Sequence, residues 1–440
     1  MAGQFRSQWL VHVEPAASGS VHNKEVVRSL AMAVLLAAAV ASAQSVVGNT
    51  GRIAGAIRRL DAQDGGPVLR CQVTPIKPGL NFGFRFQAGY IFRFPLNQFS
   101  GPRHGLAVLM RITPEGGGRQ PVYLTDRLRL PPVPKTNLDG EATGVYLLGE
   151  GRYTVKWMVL DDAGRSWRKE WKIDARLGRG VRNVQVAMPP GTVDDLSLRH
   201  SPVAGRPSDD AAPLRLTVLL NAGPLAPQRT NLRAGDRFML LGTLSTLLER
   251  VPARSVRLVV FNLDQQKILF RQDDFRGDAF DQVAQSISSL QLNLVDYHVL
   301  QNHMGHLALL ADMLNRELHA EQPSDAVVFL GPQSRFEDKI AEDALEKPRG
   351  TAPRFYYLQL VPFAPFRRGP PGSPIAGPGP RLGVPGMPGP PGLDPGLAGM
   401  PDSISMAVAR LKGKSIPVHT PGDFDKAIQH VERRPGAGSD

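Results

Sequence analysis

The sequence predicts two domains, an all-β sandwich followed by an α/β domain with a doubly wound, mostly parallel sheet. Three observations carry that expectation. The chain has 440 residues, 42% of them hydrophobic, which is globular in composition and too long for one ordinary core. Between 70 and 176 apolar residues alternate with period two, as strands buried on one face do. From Leu214 onward, continuous apolar runs alternate with helical stripes, the pattern of a parallel sheet flanked by helices.

The N-terminus reads as an export signal. Lys24 and Arg28 supply positive charge ahead of an apolar run from Leu30 to Val40 that is too short to span a bilayer. Ala41-Ser42-Ala43 is a small-x-small cleavage site, which makes Gln44 the expected mature N-terminus. Residues 1–43 are therefore read as a signal peptide. The polar stretch 1–27 within them is an extension upstream of a true start near Val26 or Val27. The expected location is secreted or periplasmic. No other apolar run reaches membrane-spanning length, so no transmembrane segment is expected after cleavage. Cys71 is the sole cysteine; disulfides within the chain then cannot staple the fold, and Cys71 reads as a small buried hydrophobe or, alternatively, as a site of intermolecular pairing.

The β-sandwich is expected over 44–186. Phe82, Phe84 and Phe86 alternate, as do Tyr90, Phe92 and Phe94. Leu106 to Ile112 and Val122 to Leu128 are further strands bounded by Gly or Pro. A hairpin spans Gly151 to Ile173, with Tyr153, Val155, Trp157 and Val159 on one arm and Asp161-Asp162-Ala163-Gly164 as the turn. Residues 187–213 read as a polar linker, preceded by a candidate strand from Val181 to Val186.

The α/β domain is expected over 214–434. Strands are predicted at Leu214 to Leu220, Val256 to Leu263, Ala326 to Leu330, Phe355 to Val361 and Ser415 to Val418. Lys267 to Arg271 is expected to return as an antiparallel edge. Helices are predicted at Asp236 to Arg250, with Asp236 as cap, at Ala279 to Leu290, and from Met304 to Leu318. Three more are predicted at Glu337 to Leu345, Ser403 to Leu411 and Asp423 to Glu432. A Gly/Pro-rich insertion at 368–401 lacks the sustained repeat of collagen and reads as a flexible loop. Residues 435–440 are a tail.

The GxY-x-V-x-W pattern of Tyr153 to Trp157 resembles immunoglobulin-like domains of exported proteins. The element order from Leu214 is similar to the von Willebrand factor type A domain, a Rossmann-like fold, in its divergent form from exported proteins of soil bacteria. That resemblance rests also on the strand ends Val260-Phe261-Asn262 and Phe329-Leu330-Gly331. It implies partner docking at the carboxyl ends of the parallel strands, with Asn221, Gly223, Asn262 and Gly331 as ligand-binding candidates. The family's metal site needs DxSxS after the first strand and a later Asp. Here Asn221, Gly223 and Leu225 stand at those positions, and Gly331 replaces the Asp. A hard cation needs converging carboxylate and hydroxyl oxygens, so no metal-dependent adhesion site is expected.

No catalytic centre and no cofactor are expected. His303 and His306, at i, i+3 spacing among Asp296, His298 and Asp312, form a weak zinc alternative. Residues Gly331 to Arg335 also read as a candidate anion-binding nest. The net charge of +12, in an exported chain, points to a partner protein or an anionic surface or extracellular polymer and away from nucleic acid. The resulting expectation is an exported, non-catalytic binding or scaffold protein. A hydrolase acting on polysaccharide or protein, and a structural component of a surface assembly, are the alternatives.

Overall fold

The computed structural model describes residues 44–62, 67–116, 119–196, 214–226, 229–292, 297–348, 350–361 and 401–432. The expected signal peptide, most of the linker, almost all of the Gly/Pro insertion, Asp296 and the tail lie outside the described residues. Contacts divide the chain into one unit up to Arg199 and another from His200.

The first unit contains two antiparallel sheets. Its strands are β1 (Ser45–Val46), β2 (Gln72–Leu80), β3 (Phe86–Pro95), β4 (His104–Pro114), β5 (Val122–Leu130), β6 (Asp139–Leu148), β7 (Gly151–Asp161), β8 (Ser166–Ala175) and β9 (Val193–Asp195), with helix α1 (Ala54–Asp61) between β1 and β2. The strand orders are β1-β5-β4-β7-β8 and β2-β3-β6-β9. Alternate residues of both sheets fill one core, in which Tyr90, Phe92 and Phe94 meet Met110, Val155 and Trp157. The Trp157 ring lies edge-on to Tyr90 at 5.3 Å between centroids, a favourable aromatic geometry. Space for the large rings comes from the neighbouring strand, where Gly144 and Gly140 stand opposite Tyr90 and Phe94. A Cβ at Gly144 would overlap the Tyr90 ring. Gln44 is also buried, and its Nε2 donates to the Tyr90 hydroxyl at 2.9 Å.

Three local expectations in this unit are corrected. Phe82 and Phe84 lie in a turn before β3, because the Asn81 side chain accepts from Gly83 N and Arg85 N and Phe84 takes φ +52°. Val181 to Val186 is not a strand; a short 3-10 turn, Arg179–Val181, precedes an irregular segment. The expected linker contains β9, which pairs with β6 through Val193 and Leu148.

The second unit contains β10 (Leu214–Asn221), α2 (Ala234–Arg250), β11 (Ala253–Asn262), β12 (Lys267–Gln272), α3 (Phe280–Ser288), α4 (Tyr297–Gln301) and α5 (Gly305–Leu318). These are followed by β13 (Ala326–Pro332), β14 (Arg354–Leu360), α6 (Ser403–Arg410), β15 (Lys414–Val418) and α7 (Pro421–Glu432). Its sheet runs β12-β11-β10-β13-β14-β15. β10 and β13 are the most buried strands of this sheet, and every residue of β13 is buried. Asp236 caps α2 from within its first turn, accepting from Arg233 N at 2.8 Å while Arg229 holds both its oxygens.

The predicted fold class is corrected. The described chain is mostly β, with sheets of five, six and four strands. Eight of the twelve strand pairings are antiparallel. An immunoglobulin-like sandwich followed by a doubly wound, mostly parallel α/β domain of the von Willebrand or Rossmann-like kind does not describe it. The parallel pairings are confined to one sheet. The helix expected from Glu337 to Leu345, between β13 and β14, does not form. Its carbonyls turn outward instead, and the Arg410 guanidinium takes those of Ile340, Ala341 and Glu342. Asn315 Nδ2 takes that of Ala344. Phe336 and Ile340 stand at helical spacing in the sequence, but Phe336 stacks on His306 of α5 and Ile340 joins the core to which α5 and α6 both contribute.

Among the described residues no helix is long and apolar enough to cross a membrane, which says nothing about spanning by strands.

Candidate binding cleft

At the carboxyl ends of β10, β11 and β13 the chain leaves a small polar cleft of about 20 Å³, room for little more than a water molecule. That is far below the size of sites that engulf a small-molecule ligand. Asn221, Gly223, Asn262, Asp264, Ser334 and Arg335 are among its lining residues.

The cleft walls are fixed by the way the strands end. Gly331 has φ +146°, and a Cβ there would sit 2.7 Å from the Asn221 carbonyl oxygen. Glycine is therefore required for β13 to pass this close to β10. Asn221 is buried and donates through Nδ2 to Pro332 O at 3.2 Å. Asn262 is buried as well; its Nδ2 donates to Ala222 O at 2.9 Å and its Oδ1 accepts from Gln265 N at 2.8 Å. Both carboxamides thus stitch one loop to the next, satisfying backbone groups that burial would otherwise orphan.

Behind the cleft lies a buried carboxylate. Asp402 accepts from Ser334 N at 2.6 Å, from Tyr357 OH at 3.1 Å and from Ser405 N at 2.7 Å, so it ties the β13 loop to the start of α6. Burial pushes its pKa above the ordinary carboxylate range, and the hydrogen bonds from Ser405, Ser334 and Tyr357 only partly oppose this. At the front, Arg335 Nε donates to Asp264 Oδ1 at 2.7 Å across the cleft mouth.

Of the four candidates read from the sequence, Asn221, Gly223 and Asn262 line this cleft, while Gly331 packs behind Asn221. Asp264 and Asp402 lie outside the residues the sequence marks as candidates, whereas Ser334 and Arg335 belong to the segment Gly331 to Arg335 that it marks as an anion-binding nest. Asp402 had a usable signal, since Asp-x-x-Ser before the apolar run Ile404 to Val408 is a helix-start pattern. The histidines are not brought together. His303 is exposed in the turn before α5, so the two imidazoles share no helix face. His306 is buried and stacks on Phe336 at 4.0 Å, with Nε2 3.2 Å from Asp338 Oδ2. Asp312 pairs with Arg316 on the surface. Among the described residues no group of three or more His, Cys, Asp or Glu could hold a metal ion.

Beside the cleft, Tyr297, Leu300 and Met304 expose 67%, 55% and 55% of their surface. This segment is held to the β11–β12 turn by Gln266 Nε2, which donates to Asn302 O at 2.7 Å. Asp264 belongs to the same turn.

The fold and cleft define a mostly β chain of two units with a small polar site at one set of strand ends. No family model matches it, and no curated protein does. Solved structures with some similarity include an ApaA protein from Bordetella pertussis, at 17% identity over 26% of this chain and 100% of that one, with a TM-score of 0.19. A structural genomics target, SoR45, is 12% identical over 26% of this chain and 96% of its own, with a TM-score of 0.18. A DUF4466 family protein from Parabacteroides merdae is 13% identical over 24% and 46%, with a TM-score of 0.15. Likeness at this level transfers neither fold nor function.

Proposed function

We propose that the chain is an exported, non-catalytic binding or scaffold protein that engages a partner protein through the strand-end face of its second unit. The observation that supports this is the exposed apolar group Tyr297, Leu300 and Met304 beside the polar cleft. Aromatic and Met side chains are enriched where proteins meet, and exposed apolar groups gathered in one short segment mark interaction surfaces. The hydrolase reading has no specific support, because Asp264 is the one carboxylate lining the cleft among the described residues, and it is paired with Arg335. Export rests on the charged, apolar and small-residue segments before Gln44.

A photo-crosslinking residue in place of Tyr297, used in the native host, tests the reading. A discrete adduct that disappears with Leu300→Asp is the expected result. No adduct at this position, or one indifferent to Leu300→Asp, would overturn it. N-terminal sequencing of the secreted chain should begin at Gln44; recovery of an unprocessed chain inside the cell would remove the export part.

A further inference from the structure

We propose that the outer face of the five-stranded sheet, with α1 lying across it, binds an acidic polysaccharide through arginine side chains. This surface belongs to the first unit and is separate from the partner surface of the second. The positive charge is concentrated here: residues 44–199 hold 23 Lys and Arg against 13 Asp and Glu, whereas residues 200–440 hold 26 against 25. Within the first unit the charge is one-sided. Leu124, Leu128 and Leu130 of β5 point into the core, so Arg127 and Arg129 point outward, where they are exposed. Strand register puts Arg111 of β4, Lys156 of β7 and Arg168 of β8 on the same outer face. The outward acids of the sheet, Glu170 and Asp174, are both on its edge strand β8. Helix α1 packs Leu60 with Leu109 and Met158 of this face and leaves Arg58 and Arg59 exposed. Asp61 at the end of α1 is taken up by Arg111 and Lys156. Arg58, Arg59 and Arg129 are then without an acidic partner among the described residues. The outer face of the four-stranded sheet differs, since Arg93 pairs there with Glu141 and Asp139 lies on the same strand as Glu141. Of the 23 basic residues in 44–199, 18 are Arg. A guanidinium takes a carboxylate through two parallel hydrogen bonds, whereas a diffuse field could be built as well from Lys. The cations are also spread out, with Arg127 and Arg129 about 7 Å apart along β5. A small anion meets one such side chain, but a chain with a carboxylate on every sugar meets several at once. A bilayer is disfavoured, because Ala56, Ile57 and Leu60 of α1 pack on the sheet and the exposed large apolar side chains described in this unit are Val46 and Val68. The same two residues offer no aromatic ring on which the bases of a nucleic acid could stack.

Fluorescence anisotropy with end-labelled oligogalacturonate and the full chain tests the proposal, with the fully methyl-esterified oligomer as the neutral control. The triple variant Arg58→Gln, Arg59→Gln, Arg129→Gln is expected to weaken oligogalacturonate binding by about tenfold. Lys at the same three positions should restore it only in part, because an ammonium is a point charge without the fork. A control triple, Lys77→Gln, Lys135→Gln, Arg182→Gln, removes the same charge from exposed positions of this unit outside the five-stranded sheet and should weaken binding far less. Asp61→Asn releases Arg111 and Lys156 and should tighten binding, a direction that damage to the fold would not produce. Equal loss in the two triple variants would overturn the proposal, since net charge alone would then explain binding. Equal binding of the methyl-esterified oligomer would overturn it too. Tighter binding of a duplex DNA, or of vesicles of phosphatidylglycerol and phosphatidylcholine, would replace the polysaccharide with that partner. Leu300→Asp should leave oligogalacturonate binding unchanged, so the two surfaces stand or fall separately.

Discussion

Replacing Asp402 by Asn tests the buried carboxylate behind the cleft. Asp402 is fully buried and serves two backbone N–H groups, Ser334 N and Ser405 N, together with the Tyr357 hydroxyl. Asparagine has a single acceptor oxygen, so one of the two N–H groups would face an amide N–H₂ and lose its partner. Loss of a helix cap costs about 0.5–2 kcal/mol, and a newly orphaned buried donor about 1–3 kcal/mol. The expected destabilisation of the second unit at neutral pH is about 2–4 kcal/mol. The pH dependence follows from the raised carboxyl pKa. A group raised above its unfolded value binds a proton more readily in the fold. Its contribution is full below the ordinary carboxylate range and is lost as pH rises through the folded value. The gap between wild type and Asp402→Asn should therefore widen as pH is lowered from neutrality. Denaturant titration can read the two units separately. Trp157, Trp167 and Trp171 belong to the first unit, as do all the described tryptophans, whereas most of the helix belongs to the second. The helical circular dichroism transition should move and the tryptophan fluorescence transition should stay. A loss below about 0.5 kcal/mol, or a gap that narrows toward acid, would refute the reasoning. The narrowing would mean that the three donors outweigh burial.

Three further outcomes are expected. Gly331→Ala forces a side chain into φ +146° and against Asn221, and should cost about 2–4 kcal/mol in the helical transition. Gly144→Ala drives a methyl group into the Tyr90 ring, and should cost about 1–3 kcal/mol in the tryptophan transition while leaving the helical one in place. Millimolar Mg²⁺ or Ca²⁺ should not shift the melting temperature, because Asn221 is neutral and donates its amide to Pro332. A concentration-dependent rise abolished by Asn221→Ala would contradict this.

Much of the cleft was legible, for a local reason. Asn221 and Asn262 each follow an apolar run and end a strand, and strand ends are where loops and ligands gather. Their roles were not legible. The sequence offers them as free amides, but the fold commits both to neighbouring loops across 111 and 40 residues of chain. The Arg335–Asp264 pair spans 71 residues, and no spacing rule foretells a contact that only sheet order creates.

The sequence by itself determined where most strands and helices lie, because burial on one face imposes period two or 3.6 on the residues that form it. It determined the hairpin at Asp161, whose carboxylate accepts from Arg165 N within the turn. Tertiary structure decided the class of the fold. Phe336 and Ile340 carry a helical spacing, but the carbonyls beside Ile340 find the Arg410 guanidinium, and the chain crosses from β13 to β14 without an α-helix. Tertiary structure likewise decided that β1, β6 and β9 complete antiparallel sheets around the aromatic core, with Gly140 and Gly144 making room for rings on β3. The physical reason is that periodicity records which face of a segment is buried. Which strand becomes its neighbour, and in which direction, depends on packing between residues far apart in the chain.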